Sequence, residues 1–162
     1  MPPGIGLARE AWGPRFWKVL HTLAERSGQQ RDTVSVSDEG DLWIHLLKAQ
    51  AQVMPCATCK QHFLEWHLTH KIDTLKTLNG EDRRVWIRGW LWGCHTRVNE
   101  INKKNSPRLE ALPELYPHCS IEKEVAELDS MFRYAVEKRQ IAPEYTKRWK
   151  LALGQLRLMY GL

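Results

Sequence analysis

The chain has 162 residues, 43% of them hydrophobic and 27% charged, with a net charge of +5. That balance suits one ordinary domain with a real core and excludes a disordered chain. No run of five or more Lys/Arg occurs, which argues against a nucleic-acid tail. No window approaches about 18 consecutive apolar residues, so no membrane-spanning helix is expected.

The eight tryptophans are many for this length. Some belong in a core, and an excess of indoles also suits a site that surrounds a large flat ring. The opening "MPPGIGLARE" lacks a basic stretch followed by an apolar one, so no secretory leader is expected and the cytosol is the expected compartment. There, a Cys-x-x-Cys signals metal or redox chemistry rather than a structural staple.

Helical periodicity dominates and no strand alternation stands out. A first helix is expected from Pro14, a favoured first-turn residue, to Arg26, with Gly28 as its stop and Phe16, Leu20, Leu23 and Ala24 as its apolar face. "SGQQRDTVSVSDEG" reads as a polar connection. A second helix, 41–53, carries Leu42, Leu46, Ala49 and Val53 at core spacing, and Pro55 closes it. A third runs from Cys56 to His70, and "NGED" turns into a fourth over 82–102. Gly89 and Gly93 inside that fourth helix cost about 1 kcal/mol each against alanine. Close helix packing or close approach by another backbone or a ligand would each account for them. A proline-punctuated loop follows (Pro107, Pro113, Pro117). Ser120 can cap a fifth helix to Arg139, and Pro143 can open a sixth with Tyr145, Trp149, Ala152, Leu156 and Met159 on one face. The expected plan is all-α: a four-helix bundle over about 10–104 with a helical C-terminal extension.

The chemistry concentrates in "MPCATCKQHFLEWH". Cys56, Cys59, His62 and His67 offer four zinc ligands, but they lie along a single helix. One straight helix cannot wrap four ligands round one ion, so zinc would need Cys94, His95 or Cys119 from elsewhere. Redox chemistry fits the local sequence better. A Cys-x-x-Cys straddling a helix start sits beside unpaired backbone N–H groups, and these favour the thiolate. Lys60 adds positive charge nearby. A thioredoxin setting would need a βαβ context, which this sequence lacks. A helical redox dithiol needs a two-electron acceptor, which a flavin among aromatic side chains would provide.

Three stretches occur in order: "WGPRFWKVLHTLAE", "MPCATCKQHF" and "WLWGCHTRVNEINKK". Together they resemble the Erv/ALR family of FAD-linked sulfhydryl oxidases. That family's pattern is W-G-x-x-x-W-x-x-L-H-T, then P-C-x-x-C-x-x-H-F, then W-L-x-x-x-H-N-x-V-N with a following lysine. The resemblance covers about residues 12–104. It implies a four-helix bundle enclosing FAD over residues 1–119, with 120–162 as an extension packed on the bundle or on a partner subunit. The W-G-P start and small size look most like the viral members, which would place the protein in a host cytoplasm or virion.

The resemblance also implies roles. Cys59 would face the flavin as charge-transfer donor, and Cys56 would meet the incoming thiol. Gly13, Trp17, His21 and His62 match flavin-side positions. His95 and Asn99 match the adenine-side pair, and Lys104 falls where the phosphate-binding lysine falls, with Lys103 beside it. Electrons would pass from protein dithiols, or from a thioredoxin-like carrier, to molecular oxygen. A homodimer through first- and second-helix surfaces is implied, with no membrane or nucleic-acid partner and no metal.

Several positions depart from the pattern. Thr96 stands where the family has asparagine, Pro14 where arginine is common, and Trp92 where a structural cysteine falls. The family's later Arg-Trp pair has no clear counterpart. Cys94 and Cys119 remain as a candidate staple or a makeshift shuttle, and only geometry can decide their pairing. The rival readings are a zinc-stabilised helical module binding nucleic acid, and a non-enzymatic interaction protein.

Overall fold

The computed structural model describes residues 8–162; residues 1–7, part of the segment on which the leader reading turns, lie outside the described residues. Among the described residues there are helices and no strand. In chain order they are α1 (Arg9–Ala24), α2 (Thr33–Val53), α3 (Ala57–Thr69), a 3-10 turn (Ile72–Thr77), α4 (Gly80–Ile101), a second 3-10 turn (Leu109–Ala111), α5 (Leu112–Leu115), α6 (Glu122–Glu137) and α7 (Pro143–Tyr160). No helix here is long and apolar enough to cross a membrane.

Two helices begin earlier than their apolar spacing indicates. α1 starts at Arg9, so Pro14 lies inside it rather than at its first turn. Proline there forgoes one backbone bond. The extra turn is held by the burial of Trp12, 3% exposed, and by a bond from Arg9 Nη1 to Asn102 Oδ1 at 2.8 Å. α2 starts at Thr33, within the stretch expected to be a polar connection. Asp32 caps it by accepting from the Ser35 N–H at 2.8 Å, which satisfies an otherwise orphaned donor.

The polar stretch is helical because one of its charges is buried. Glu39 accepts from the Gly28 N–H at 2.8 Å and from the Tyr160 hydroxyl at 2.5 Å. It also pairs with Arg83 Nη1 at 3.2 Å, both side chains being almost wholly enclosed. Arg83 is spent further on the carbonyls of Val36 and Leu75. Gly28 has φ +78°, and a Cβ there would fall on the Gly80 carbonyl, so this junction admits only glycine.

The extension belongs to the same core. α7 lies antiparallel on α2, and α6 lies on α1. Leu128, Phe132, Trp149, Leu153 and Leu156 are buried, and each such side chain contributes roughly 1.5–3 kcal/mol. Trp149 Nε1 donates to the buried Gln50 side chain at 2.7 Å, while Lys18 pairs with Glu124 at 2.5 Å and Arg15 with Glu127. The outward faces of α1 and α2 are thus largely taken by the chain's own C-terminal helices.

Candidate active site

Pro55 ends the extended link after α2, and Cys56 is the N-cap of α3. Cys56 and Cys59 are joined as a disulfide with Cα atoms 5.2 Å apart. The Cys59 N–H donates to Cys56 Sγ at 3.2 Å. The capping group of this helix is therefore a sulfur, and the positive end of the helix faces it. A Cys56 thiolate released here is stabilised by that N–H. Both cysteines are half-buried and pack against the core.

Phe63, one turn beyond Cys59, links the disulfide to the bundle interior. Its ring meets Phe16 edge-on at 6.1 Å, and Phe16 meets Trp17 at 4.8 Å. Trp17 then lies flat on His95, ring centres 4.1 Å apart and planes 4° off parallel. His21 Nε2 and His95 Nδ1 are 3.1 Å apart. Tyr116 completes the assembly, stacked on His21 at 4.6 Å. Nothing in the residue pattern marks Tyr116, which sits between prolines in "LPELYP" without helical periodicity.

Burial sets the protonation of this stack. It pushes the His21 imidazole down to about 3, with His95 adding to the effect. Burial followed by the charge of Lys104 lowers His95 to about 4. At neutral pH both rings are neutral, and one donates its N–H across their contact. Burial also raises the Tyr116 phenol, which stays protonated. The result is a flat, uncharged aromatic surface with a lysine beside it.

Other sequence-predicted residues take separate places. Gly13 is buried in α1 with the Arg9 stem 3.8 Å from where a Cβ would stand. His62 is half-buried on α3, one turn past Cys59. Asn99 does not join the stack; its side-chain amide donates to Ser106 Oγ at 3.0 Å and tethers the loop after α4. Lys104 is exposed, its N–H bonded to the Asn99 carbonyl at 2.8 Å. Gly93 is explained by helix packing, since a Cβ there would stand 2.7 Å from the Trp66 ring, whereas the space beside Gly89 is open.

Of the two roles left open for Cys94 and Cys119, the staple is not formed: both are free thiols, one buried and one half-buried. Cys94 points into the core with Ile87 and Leu91, and burial raises its thiol, which leaves it a poor nucleophile at neutral pH. The zinc reading loses its ligands as well. Cys56 and Cys59 are bonded to each other, and among the described residues no three His, Cys, Asp or Glu side chains converge as a metal site requires.

The model of the Erv1/Alr family matches residues 14–117. The chain belongs to the Erv1/Alr family. That span takes in the α3 disulfide, the aromatic stack and Lys104, and it stops before α6. Comparison with curated proteins gave no match, and comparison with solved structures gave none.

Family members generally bind FAD, and the residues here fit such a group. Trp17 with His95 and His21 with Tyr116 now cover one another's ring faces; parted, they would present neutral faces to a flat cofactor, and Lys104 would supply charge for a diphosphate. Thr96 Oγ1, next to His95, and Trp12 Nε1 are buried without hydrogen-bond partners, a costly state that a polar ligand would relieve.

Proposed function

We propose that this chain is an FAD-dependent thiol oxidase that makes disulfides in protein substrates. The observation that carries the reading is the Cys56–Cys59 disulfide, set across a helix N-terminus and backed by a neutral aromatic stack. Trp17, His21, His95 and Tyr116 would hold the flat parts of FAD, and Lys104 its phosphates. Bound FAD supplies a two-electron acceptor that oxygen can reoxidise with release of hydrogen peroxide.

The chain's own residues perform the thiol exchange. A client thiolate attacks Cys56 Sγ, forming a mixed disulfide and expelling the Cys59 thiolate. The client's second thiol then attacks the client sulfur of that bond. Its disulfide leaves, and Cys56 departs as a thiolate held by the Cys59 N–H and the helix end. Closing the Cys56–Cys59 bond again, from two thiolates, gives up two electrons that bound FAD would accept; the two protons come from the client's thiols as they ionise. The buried imidazoles carry no charge and keep the interior apolar, which limits access of water. Clients would be protein dithiols, met directly or through a thioredoxin-like carrier. A cytoplasmic setting goes with this reading, in a host cell or virion if the chain is of the viral type.

Oxygen uptake with a reduced protein substrate tests the proposal. The wild-type chain with FAD consumes oxygen and releases peroxide, while Cys59→Ser keeps its yellow colour and stops turning over. Unchanged turnover in that variant would end the mechanism.

A further inference from the structure

The outer side of the α2–α7 pair carries a groove of two adjoining cavities, about 650 and 640 Å³. Leu42 and His45 line both and join them. The first cavity adds Lys48, Gln52 and Arg148 and has no carboxylate in its lining. The second adds Asp38 and Asp41. Lys48 and Arg148 are exposed, and neither makes an ion pair among the described residues. Leu151, 64% exposed, lines the basic half, and Leu158, 85% exposed, lines the acidic half. Leucines that open add nothing to the core of their own chain.

The groove points at the disulfide. α2 ends at Val53, and Gln52 precedes Cys56 by four residues, a stretch of chain that spans at most about 14 Å. The basic half is therefore the half next to Cys56. Asp38 lies roughly 21 Å farther back along α2, so the acidic half is the remote one. A polypeptide on its way to Cys56 passes over Leu42 and the open leucines and meets Lys48 and Arg148 last. About six extended residues fill that length. A nucleic acid fits poorly, because its evenly spaced phosphates would meet Asp38 and Asp41 at the far end.

We infer that the α2–α7 groove docks the client polypeptide and selects clients with acidic side chains about four residues from the reacting cysteine and an aliphatic one beyond them. The inference rests on the thiol-oxidase reading and adds to it the chemistry of the preferred substrate. Half of the groove comes from α7, outside the residues matched by the family model, so the preference belongs to this chain's own C-terminal helices.

Oxygen uptake by the full-length chain with FAD tests it on three dithiols. Dithiothreitol, too small to span from Cys56 to the groove, reads the redox centre alone. A synthetic peptide carries a cysteine pair with two glutamates about four residues away and a leucine beyond; its twin has lysines for the glutamates. The acidic peptide should show about tenfold higher kcat/KM than its twin at low salt, mostly through KM, and the gap should narrow as salt is added. In the double variant Lys48→Glu, Arg148→Glu, turnover of the acidic peptide relative to dithiothreitol should fall about tenfold while the thermal melt holds. Leu151→Ser should raise KM for both peptides. If dithiothreitol is oxidised but the two peptides are used equally, the inference is overturned and the oxidase reading stands. A preference that survives the double charge reversal also overturns it, since the charge is then read elsewhere. Wild-type chain that binds FAD yet oxidises no dithiol ends the oxidase reading, and the inference with it.

Discussion

The two sides of α1 and α2 do different work. Inward, toward α3 and α4, α1 meets the disulfide region through Phe16, Trp17 and His21, rings in contact and largely neutral. Outward, α1 and α2 meet α6 and α7 through aliphatic burial, ion pairs and the Glu39–Tyr160 bond, to which Arg83 of α4 adds its charge. The inner side holds unpartnered polar atoms such as Thr96 Oγ1. The outer side spends its buried carboxylate and hydroxyl fully, although Gln50 Nε2 and Arg83 Nε stay unpaired there. A site that must take a ligand keeps bonding capacity in reserve, whereas a seam that only joins helices uses most of what it has.

Changes on the two sides should therefore separate activity from stability. The largest effect is expected at the disulfide. Cys56→Ser should lower kcat/KM for a protein dithiol by about a thousandfold or more with little change in the thermal melt; steady-state oxygen uptake checks it. On the outer side, Glu39→Gln strands the Arg83 charge and should cost about 3–5 kcal/mol of stability. Urea unfolding measures this, and turnover per folded molecule should hold at low temperature.

Acid should act through the inner side. The His21 and His95 rings titrate near 3 and 4 in the fold but near 6.5 when unfolded. The unfolded chain thus binds more protons below about pH 6.5, and stability falls as pH drops from there toward 4. Each ring contributes up to about 1.4 kcal/mol per pH unit in that window. Denaturant midpoints at pH 7 and pH 5 read the loss, and His21→Phe should flatten the slope. The smallest effect is expected at Tyr116. Tyr116→Leu removes one stacked ring from His21 and should weaken FAD binding by at most about tenfold, seen by fluorescence titration.

Much of the inner side was legible in the sequence. Residue type and interval carried Cys56 and Cys59, whereas Trp17, His21 and His95 stood out only through the resemblance to the family pattern, and the structure brings those three rings into contact. Tyr116 was not legible, because its place depends on how a proline-bounded loop folds back over α1. Asn99 was expected at the cofactor and is engaged with Ser106, a loop contact that helix periodicity cannot foresee. The start of α2 was missed for a physical reason. Its first turns look solvated, and only the distant Arg83 and Tyr160 make Glu39 a buried residue. The helices of the extension were expected close to where they lie, yet their seat on α1 and α2 depends on long-range partners such as Gln50 for Trp149.

The most direct test of the account is an absorption spectrum of the purified full-length chain mixed with FAD and freed of unbound cofactor. A retained band at about 450 nm that bleaches under anaerobic dithiol is expected. Folded protein that comes through colourless, or that binds flavin yet keeps its band under dithiol, would contradict it.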